Sequence, residues 1–222
     1  KGIEEQKIHL LPNWAPCVIR PIAAEANTFC HDHSLHGKFV IMYSGNMGVV
    51  HELRTILDVA KQLAYLQDLQ FVFIGGGIRR KEVEQCLAAG ATNLLLLDYQ
   101  PLEGLSASLS AATLHFISLR QGFEGLVVPS KFYGVLAAGR PVLYEGEASG
   151  EIAQVIHEAR AGAVIEPGNT EQLADSILHY YYNRQAVDSD GKNGYQAYLQ
   201  RFHQAIAAQK YVHSVLSHIP KQ

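Results

Sequence analysis

The run Phe39-Val40-Ile41-Met42-Tyr43-Ser44-Gly45-Asn46-Met47-Gly48 decides the fold. An apolar stretch ends in a glycine-containing turn, and Val50, Leu53, Ile56, Leu57, Ala60, Leu63 and Ala64 then recur at helical spacing. That spacing predicts a helix over residues 49–66. A second apolar run, residues 70–74, closes on Gly75-Gly76-Gly77. Strand, helix and strand in this order form the crossover unit of a parallel sheet.

The alternation continues outward. Strands are expected at residues 39–43, 70–74, 93–97, 114–118, 141–144 and 163–165, short and apolar as parallel strands covered on both faces should be. Helices are expected at 79–89, 102–111, 149–161 and 171–183. The fold class is α/β, a Rossmann-like parallel sheet of six strands with helices on both faces, spanning residues 38–185. Asp188-Ser189-Asp190-Gly191 reads as a break before a helical tail, within residues 186–222, that carries Tyr198, Phe202, Ile206, Tyr211 and Val215. Residues 1–37, punctuated by Pro12, Pro16 and Pro21 and containing Leu10-Leu11-Pro12-Asn13-Trp14, read as an interdomain connector and the start of the domain. The chain begins at Lys1-Gly2 without Met, so the expectation is an excised part of a longer protein.

Composition narrows the function. With 222 residues, 48% of them hydrophobic and 18% charged, the chain can bury one large core. Its net charge of -3 gives no footprint for nucleic acid. Cys17, Cys30 and Cys86 are far apart, odd in number and free of CxxC spacing, which points to reduced thiols in the cytoplasm. The densest histidine run, His31-Asp32-His33 with His36, lacks the helical spacing of a zinc pair, and no metal site is assigned. No apolar run approaches the ~20 residues of a membrane helix, and no signal segment opens the chain.

The residues that could carry chemistry sit where strands end. Ser44-Gly45-Asn46-Met47-Gly48 joins a strand to a helix, a context in which backbone N–H groups can face a phosphate, although the spacing is neither GxGxxG nor a Walker A loop. Gly75-Gly76-Gly77 fits either close approach of a ligand or a turn needing positive φ. In Val128-Pro129-Ser130-Lys131-Phe132-Tyr133-Gly134, Pro129 and Ser130 can start and cap a helix. Lys131 then falls in the first turn, where the helix dipole disfavours a cation unless an anion shares the site. Its alternative is simple solvation, and Gly134 fits either ligand approach or tight packing. Glu124, in the loop Gln121-Gly122-Phe123-Glu124-Gly125, is placed to grip sugar hydroxyls or is a solvated loop acid. Glu145, Glu147 and Glu151 are acids near a helix start, where the dipole favours them anyway. No GxSxG elbow or cysteine signature indicates a hydrolase.

Taken together, Tyr43 to Leu53, Gly122 to Gly134 and Ala137-Ala138-Gly139-Arg140-Pro141-Val142 resemble the C-terminal, nucleotide-sugar-binding half of a family 4 glycosyltransferase with the GT-B fold, of the colanic-acid and O-antigen type. The resemblance implies a retaining enzyme of surface polysaccharide biosynthesis. It would transfer a hexosyl group from a nucleoside-diphosphate sugar to an acceptor hydroxyl without a cofactor and without a metal on the diphosphate. The acceptor domain would be the N-terminal half of the same full-length chain, with any peripheral membrane contact made through that half. Alone, this domain would bind donor without transferring it.

Carried over by residue, the resemblance puts Gly45, Asn46, Met47, Gly48 and Lys131 around the diphosphate, and Gly76, Tyr99, Gln100 and Pro101 toward the donor, the last three near its base. Ser130, Tyr133 and Gly134 would line the donor pocket. The chain departs from the pattern in two places. Asn46 and His51 stand where the family carries Arg and Lys, and Leu126 and Gly134 stand where it carries two acids, leaving Glu124 as the nearest candidate catalytic residue. The rival readings are a non-catalytic nucleotide-sugar-binding module and a nucleotide-sugar epimerase of the same fold, the latter needing an acid–base pair that the loops do not offer. A dehydrogenase is disfavoured by the missing dinucleotide fingerprint.

Overall fold

A computed structural model describes Gly2, Glu4, Ile8, Leu11 and residues 13–216, with Val215 and Leu216 by backbone alone. Leu10 and Pro12 of the connector and the Val215 side chain lie outside the described residues.

The strands are β1 Phe39–Ser44, β2 Leu69–Ile74, β3 Leu94–Leu97, β4 Leu114–Ser118, β5 Val142–Glu145 and β6 Gly162–Ile165. They form one parallel six-stranded sheet in the order β3-β2-β1-β4-β5-β6. In β1 the side chains alternate between two buried environments. Phe39, Ile41 and Tyr43 enter one apolar cluster, while Val40 and Met42 enter another on the opposite face. This double burial is why the strands read as unbroken apolar runs.

The helices are α1 Thr28–Asp32, α2 Arg54–Gln62, α3 Arg80–Ala88, α4 Leu105–Ser110, α5 Lys131–Ala137, α6 Glu151–Ala159, α7 Thr170–Tyr182, α8 Arg184–Ala197 and α9 Gln204–Leu216. Residues of α2, α3 and α7 share the cluster of Phe39, Phe71 and Phe73, whereas those of α5 and α6 pack with Ile117, Val142 and Tyr144 on the other face. Because β1 and β4 are neighbours, the chain leaves this pair in opposite directions. The loops at their carboxyl ends therefore diverge and open a crevice, the usual ligand position of an open α/β sheet.

Two sequence expectations need correction. The helix after β1 begins at Arg54, not near residue 49, because tertiary bonds hold residues 45–53 as a loop. The Ser118 hydroxyl accepts from the Glu52 N–H at 3.0 Å and donates to the Glu52 carbonyl at 2.6 Å, and the Arg79 guanidinium donates to the His51 carbonyl. The Glu52 carboxylate then accepts from the N–H groups of Leu53 and Arg54, starting the helix. In the second case, Asp188 to Gly191 form no break, since α8 runs straight through them. Gly191 allows close packing instead: a Cβ there would stand 2.4 Å from the Gly139 carbonyl oxygen. Asp190 accepts a 2.6 Å bond from the Tyr180 hydroxyl.

Candidate functional site

The loops after β1 and β2 meet backbone to backbone. The Gly45 N–H donates to Ile74 O at 2.9 Å, and the Met47 N–H to Gly76 O at 2.6 Å. Gly75 and Gly77 have φ of +124° and +119°, and Cβ atoms on them would stand 2.2 Å from the Gly45 carbonyl oxygen and 2.6 Å from that of Met47. The positive φ of Gly75 and Gly77 matches the turn reading of the triplet, and the group that comes close to these two glycines is the chain's own loop after β1. Asn46 and Gly48 donate to no backbone carbonyl among the described residues. The Met47 side chain is fully buried under α2 and belongs to the core, so this residue reaches the site through its backbone alone.

Lys131 enters from the far side of the crevice. Its Nζ lies 3.7 Å from the centroid of the Tyr43 ring. It passes Gly45 so closely that a Cβ there would be 3.3 Å from Lys131 Cε and 3.5 Å from Nζ. This nitrogen is buried and has no hydrogen-bond partner. Burial pulls its pKa down to about 7. The Tyr43 hydroxyl donates to Asn46 O at 2.7 Å, so one tyrosine both floors the lysine and pins the loop.

His51 does not replace a missing cation. Its Nδ1–H donates to Ser118 O at 2.6 Å, its ring meets Tyr43 edge-on, and burial, aided by Lys131, lowers its pKa to about 4. The imidazole is neutral at pH 7. Arg79 is charged but committed, at 2.9 Å from Glu52 and 2.7 Å from Glu82.

On the outer side, a Cβ at Gly76 would be 3.2 Å from the Tyr99 ring, which is 59% exposed. This brings Gly76 and Tyr99 together beside the Gly45 loop. Gln100 donates to Asp98 O at 3.0 Å, and Pro101 leads into a 3-10 turn at Leu102–Gly104.

Two proposed pocket residues face elsewhere. Tyr133 points to the opposite side of α5, where its hydroxyl donates to Glu151 at 3.1 Å and its ring packs on Phe202. There it lines a separate cavity of about 560 Å³ with Asn13, Val128 and Arg201. Gly134 faces Ile19 and Leu109, each 3.5 Å from where its Cβ would be, so this side of the residue is turned to the chain's own core at ordinary contact distance. Ser130 is exposed with φ -58° and ψ -24°, already helical, and its side chain caps nothing.

The acids of this edge have partners. Glu124 accepts from the Tyr144 hydroxyl and lies against Gly150, the residue preceding α6. Glu147 accepts from the Gly122 N–H at 3.2 Å. Glu145 accepts from Thr55 at 2.7 Å and from the Gly168 N–H at 2.8 Å, while its other oxygen is buried without a partner and burial raises its pKa. Sequence reasoning passed over Tyr43, Ser118, Arg79 and Tyr144. A hydroxyl or a cation at a strand end or helix start was the available signal for each. Among the described residues no cluster of metal-ligating side chains occurs, and no helix is long and apolar enough to cross a membrane.

An arrangement of a buried amine over an aromatic ring, close against the Gly45 loop at a sheet switch point, can hold an anion. Comparison with known proteins supplies a family at a coarser level than the sequence resemblance. Residues 38–183 match the model of the glycosyl transferases group 1. The chain is 30% identical over 177 residues to the probable glycosyltransferase WbjE of Pseudomonas aeruginosa, covering 78% of this chain and 44% of that one. It is 27% identical over 182 residues to the putative colanic acid biosynthesis glycosyl transferase WcaI of Escherichia coli K12, covering 80% and 44%. It thus spans less than half the length of either curated relative. Anabaena Alr3699/HepE, solved in complex with UDP-glucose, superposes with a TM-score of 0.81 at 15% identity, over 97% of this chain and 59% of that one. On the family match, which takes in the whole sheet, the chain belongs to the group 1 glycosyl transferases.

Proposed function

We propose that this chain is the donor-binding half of a retaining glycosyltransferase of surface polysaccharide biosynthesis, and that its crevice between β1 and β4 holds the diphosphate of a nucleoside-diphosphate sugar. The observation that carries this reading is the Lys131 Nζ, buried, unpartnered and directed at the Gly45 loop. A buried ammonium without an acceptor is unfavourable, and a phosphate oxygen supplies the missing partner. Lys131 and the free N–H groups of Asn46 and Gly48 would stabilise the charge that builds on the departing diphosphate as the glycosidic bond to it breaks. No metal is required for that role. Gly76 and Tyr99 offer a flat, partly exposed platform for the base. The UDP-glucose held by HepE, a protein of the same fold, supports a nucleotide-sugar ligand.

A non-catalytic binding module is the second reading. It is favoured by the engagement of Glu124 with Tyr144 and by Gly134, where the resemblance calls for an acid, turning into the packing core. Donor turnover by the full-length protein separates it from an enzyme. The site itself is tested by calorimetric titration with UDP, GDP and ADP in the absence of metal. Saturable binding that prefers one base, weakened at least tenfold by Lys131→Ala, is expected. A cooperatively folded protein that saturates with none of the three would overturn the reading.

A further inference from the structure

We infer that a diphosphate enters this site together with a proton taken up by Lys131 Nζ, which makes Lys131 the residue that selects the phosphate end of the ligand over its base. The inference rests on the reading of the crevice as a diphosphate site. It goes further by fixing the charge state in which that site waits.

Three observations of geometry lead there. An ammonium has three donors to satisfy, and this one finds no acceptor. Its one compensating contact is the Tyr43 face, which offsets the burial of a charge in part. Among the described residues no carboxylate pairs with it. From β1 comes Tyr43, its hydroxyl bonded to Asn46 O. From the loop after β1 comes His51, bonded to Ser118 O, and from β4 comes the buried His115, whose Nε2–H donates to Leu109 O at 2.9 Å. Arg79, ahead of α3, holds Glu52 and Glu82 at 2.9 and 2.7 Å, so neither carboxylate is left to pair with the amine, and Tyr99 follows β3. In such surroundings the neutral amine is favoured, in line with a pKa near 7. An arriving phosphate reverses the preference, because the protonated form then gains a charge-assisted bond.

Proton balance is simple. At pH 8 the terminal phosphate of UDP is already fully ionised, since the second pKa of a phosphate monoester is about 6. The neutral amine takes one proton from the buffer, and no covalent bond changes.

The test is titration of UDP into the protein at pH 8 in two buffers of different ionisation enthalpy, Hepes and Tris, with uridine as the phosphate-free control. The expected result is a buffer-dependent heat corresponding to roughly one proton taken up per UDP, with uridine binding at least tenfold more weakly and taking up none. Lys131→Arg, charged in both states, should bind UDP without buffer dependence, and Lys131→Met should lose at least tenfold in affinity. UDP binding with a buffer-independent heat would overturn proton uptake and leave the diphosphate site standing. Uptake that persists in Lys131→Arg would assign the proton to another group and equally overturn the inference. Where GDP or ADP is the nucleotide that saturates the site, the same two-buffer titration is run with it; absence of saturable binding by any of the three would instead strike at the diphosphate site itself.

Discussion

Replacing Lys131 by Met should make the free protein more stable, and by an amount that depends on pH. Met fills the same volume over the Tyr43 ring and carries no charge to desolvate. Moving the lysine pKa from its ordinary value of 10.5 to about 7, at about 1.4 kcal/mol per unit, puts the cost of the folded state on the order of 4 kcal/mol near neutral pH. For a chain of this size that corresponds to a rise in Tm of roughly 8–16 °C, the upper end assuming no relaxation around the amine. The sign follows from linkage. A lysine whose folded pKa is depressed binds more protons unfolded than folded between about pH 7 and 10, so the stability of the parent rises with pH across that window. The Met variant lacks this dependence. Its advantage is therefore largest at pH 7 and below, and narrows by on the order of 2 kcal/mol by pH 9. Thermal melting of both proteins at pH 6, 7, 8 and 9 reads the difference directly. A Met variant that melts no higher than the parent at pH 7, or one whose advantage is the same at pH 7 and pH 9, would refute a buried, partnerless amine.

Two further outcomes test the frame around it. Gly75→Ala forces a side chain onto φ +124° and against the Gly45 carbonyl, so a loss of about 3 kcal/mol or more in denaturant melts is expected; the same change at Gly90, at φ +91° with open space around it, should cost only about 1–2 kcal/mol. His51 and His115, each with a pKa of about 4 imposed first by burial, should show flat imidazole NMR shifts between about pH 5.5 and 8, and a midpoint near 6.5 for either would show that its ring is solvated.

The sheet was legible because parallel strands buried on both faces must be apolar throughout, and the runs at Phe39, Phe71, Leu94, Leu114 and Val142 have no other reading within a soluble core. Helix starts were less so. Val50 and Leu53 fit the helical period of α2, yet bonds from Ser118 and Arg79, far along the chain, hold residues 45–53 out of it. Gly191 looks like a breaker in isolation, and its reason lies in the Gly139 carbonyl it admits. Lys131 stood out because it conflicts with the dipole of its own helix, a local rule. Where Tyr133 points was legible in principle as well, since residues two apart on a helix lie about 200° from one another and cannot both face the same crevice. What no local pattern could show is the burial of Nζ, which depends on Tyr43 and Gly45 from another strand.

The division of labour among charged groups bears on what chemistry the crevice suits. Along the carboxyl edge, Glu124 is bonded to Tyr144, Glu147 to the Gly122 N–H, Glu151 to Tyr133, and Glu145 to Thr55 and Gly168, so each of these acids ties one loop or helix start to another. The histidine beside the crevice is held neutral first by burial and then by the nearby Lys131, against the opposing pull of its bond to the Ser118 carbonyl. The Lys131 amine is buried without a hydrogen-bond partner beside the Gly45 loop, while the second Glu145 oxygen is also left unpaired. A reaction that shuttles protons on and off a sugar, as an epimerisation does, needs an acid and a base free to exchange them. A reaction that separates a sugar from a diphosphate needs positive potential where the leaving group develops charge. The arrangement meets the second requirement; for the first it offers Lys131 without a hydrogen-bonded acid or base beside it, and so it favours transfer chemistry on grounds independent of sequence likeness.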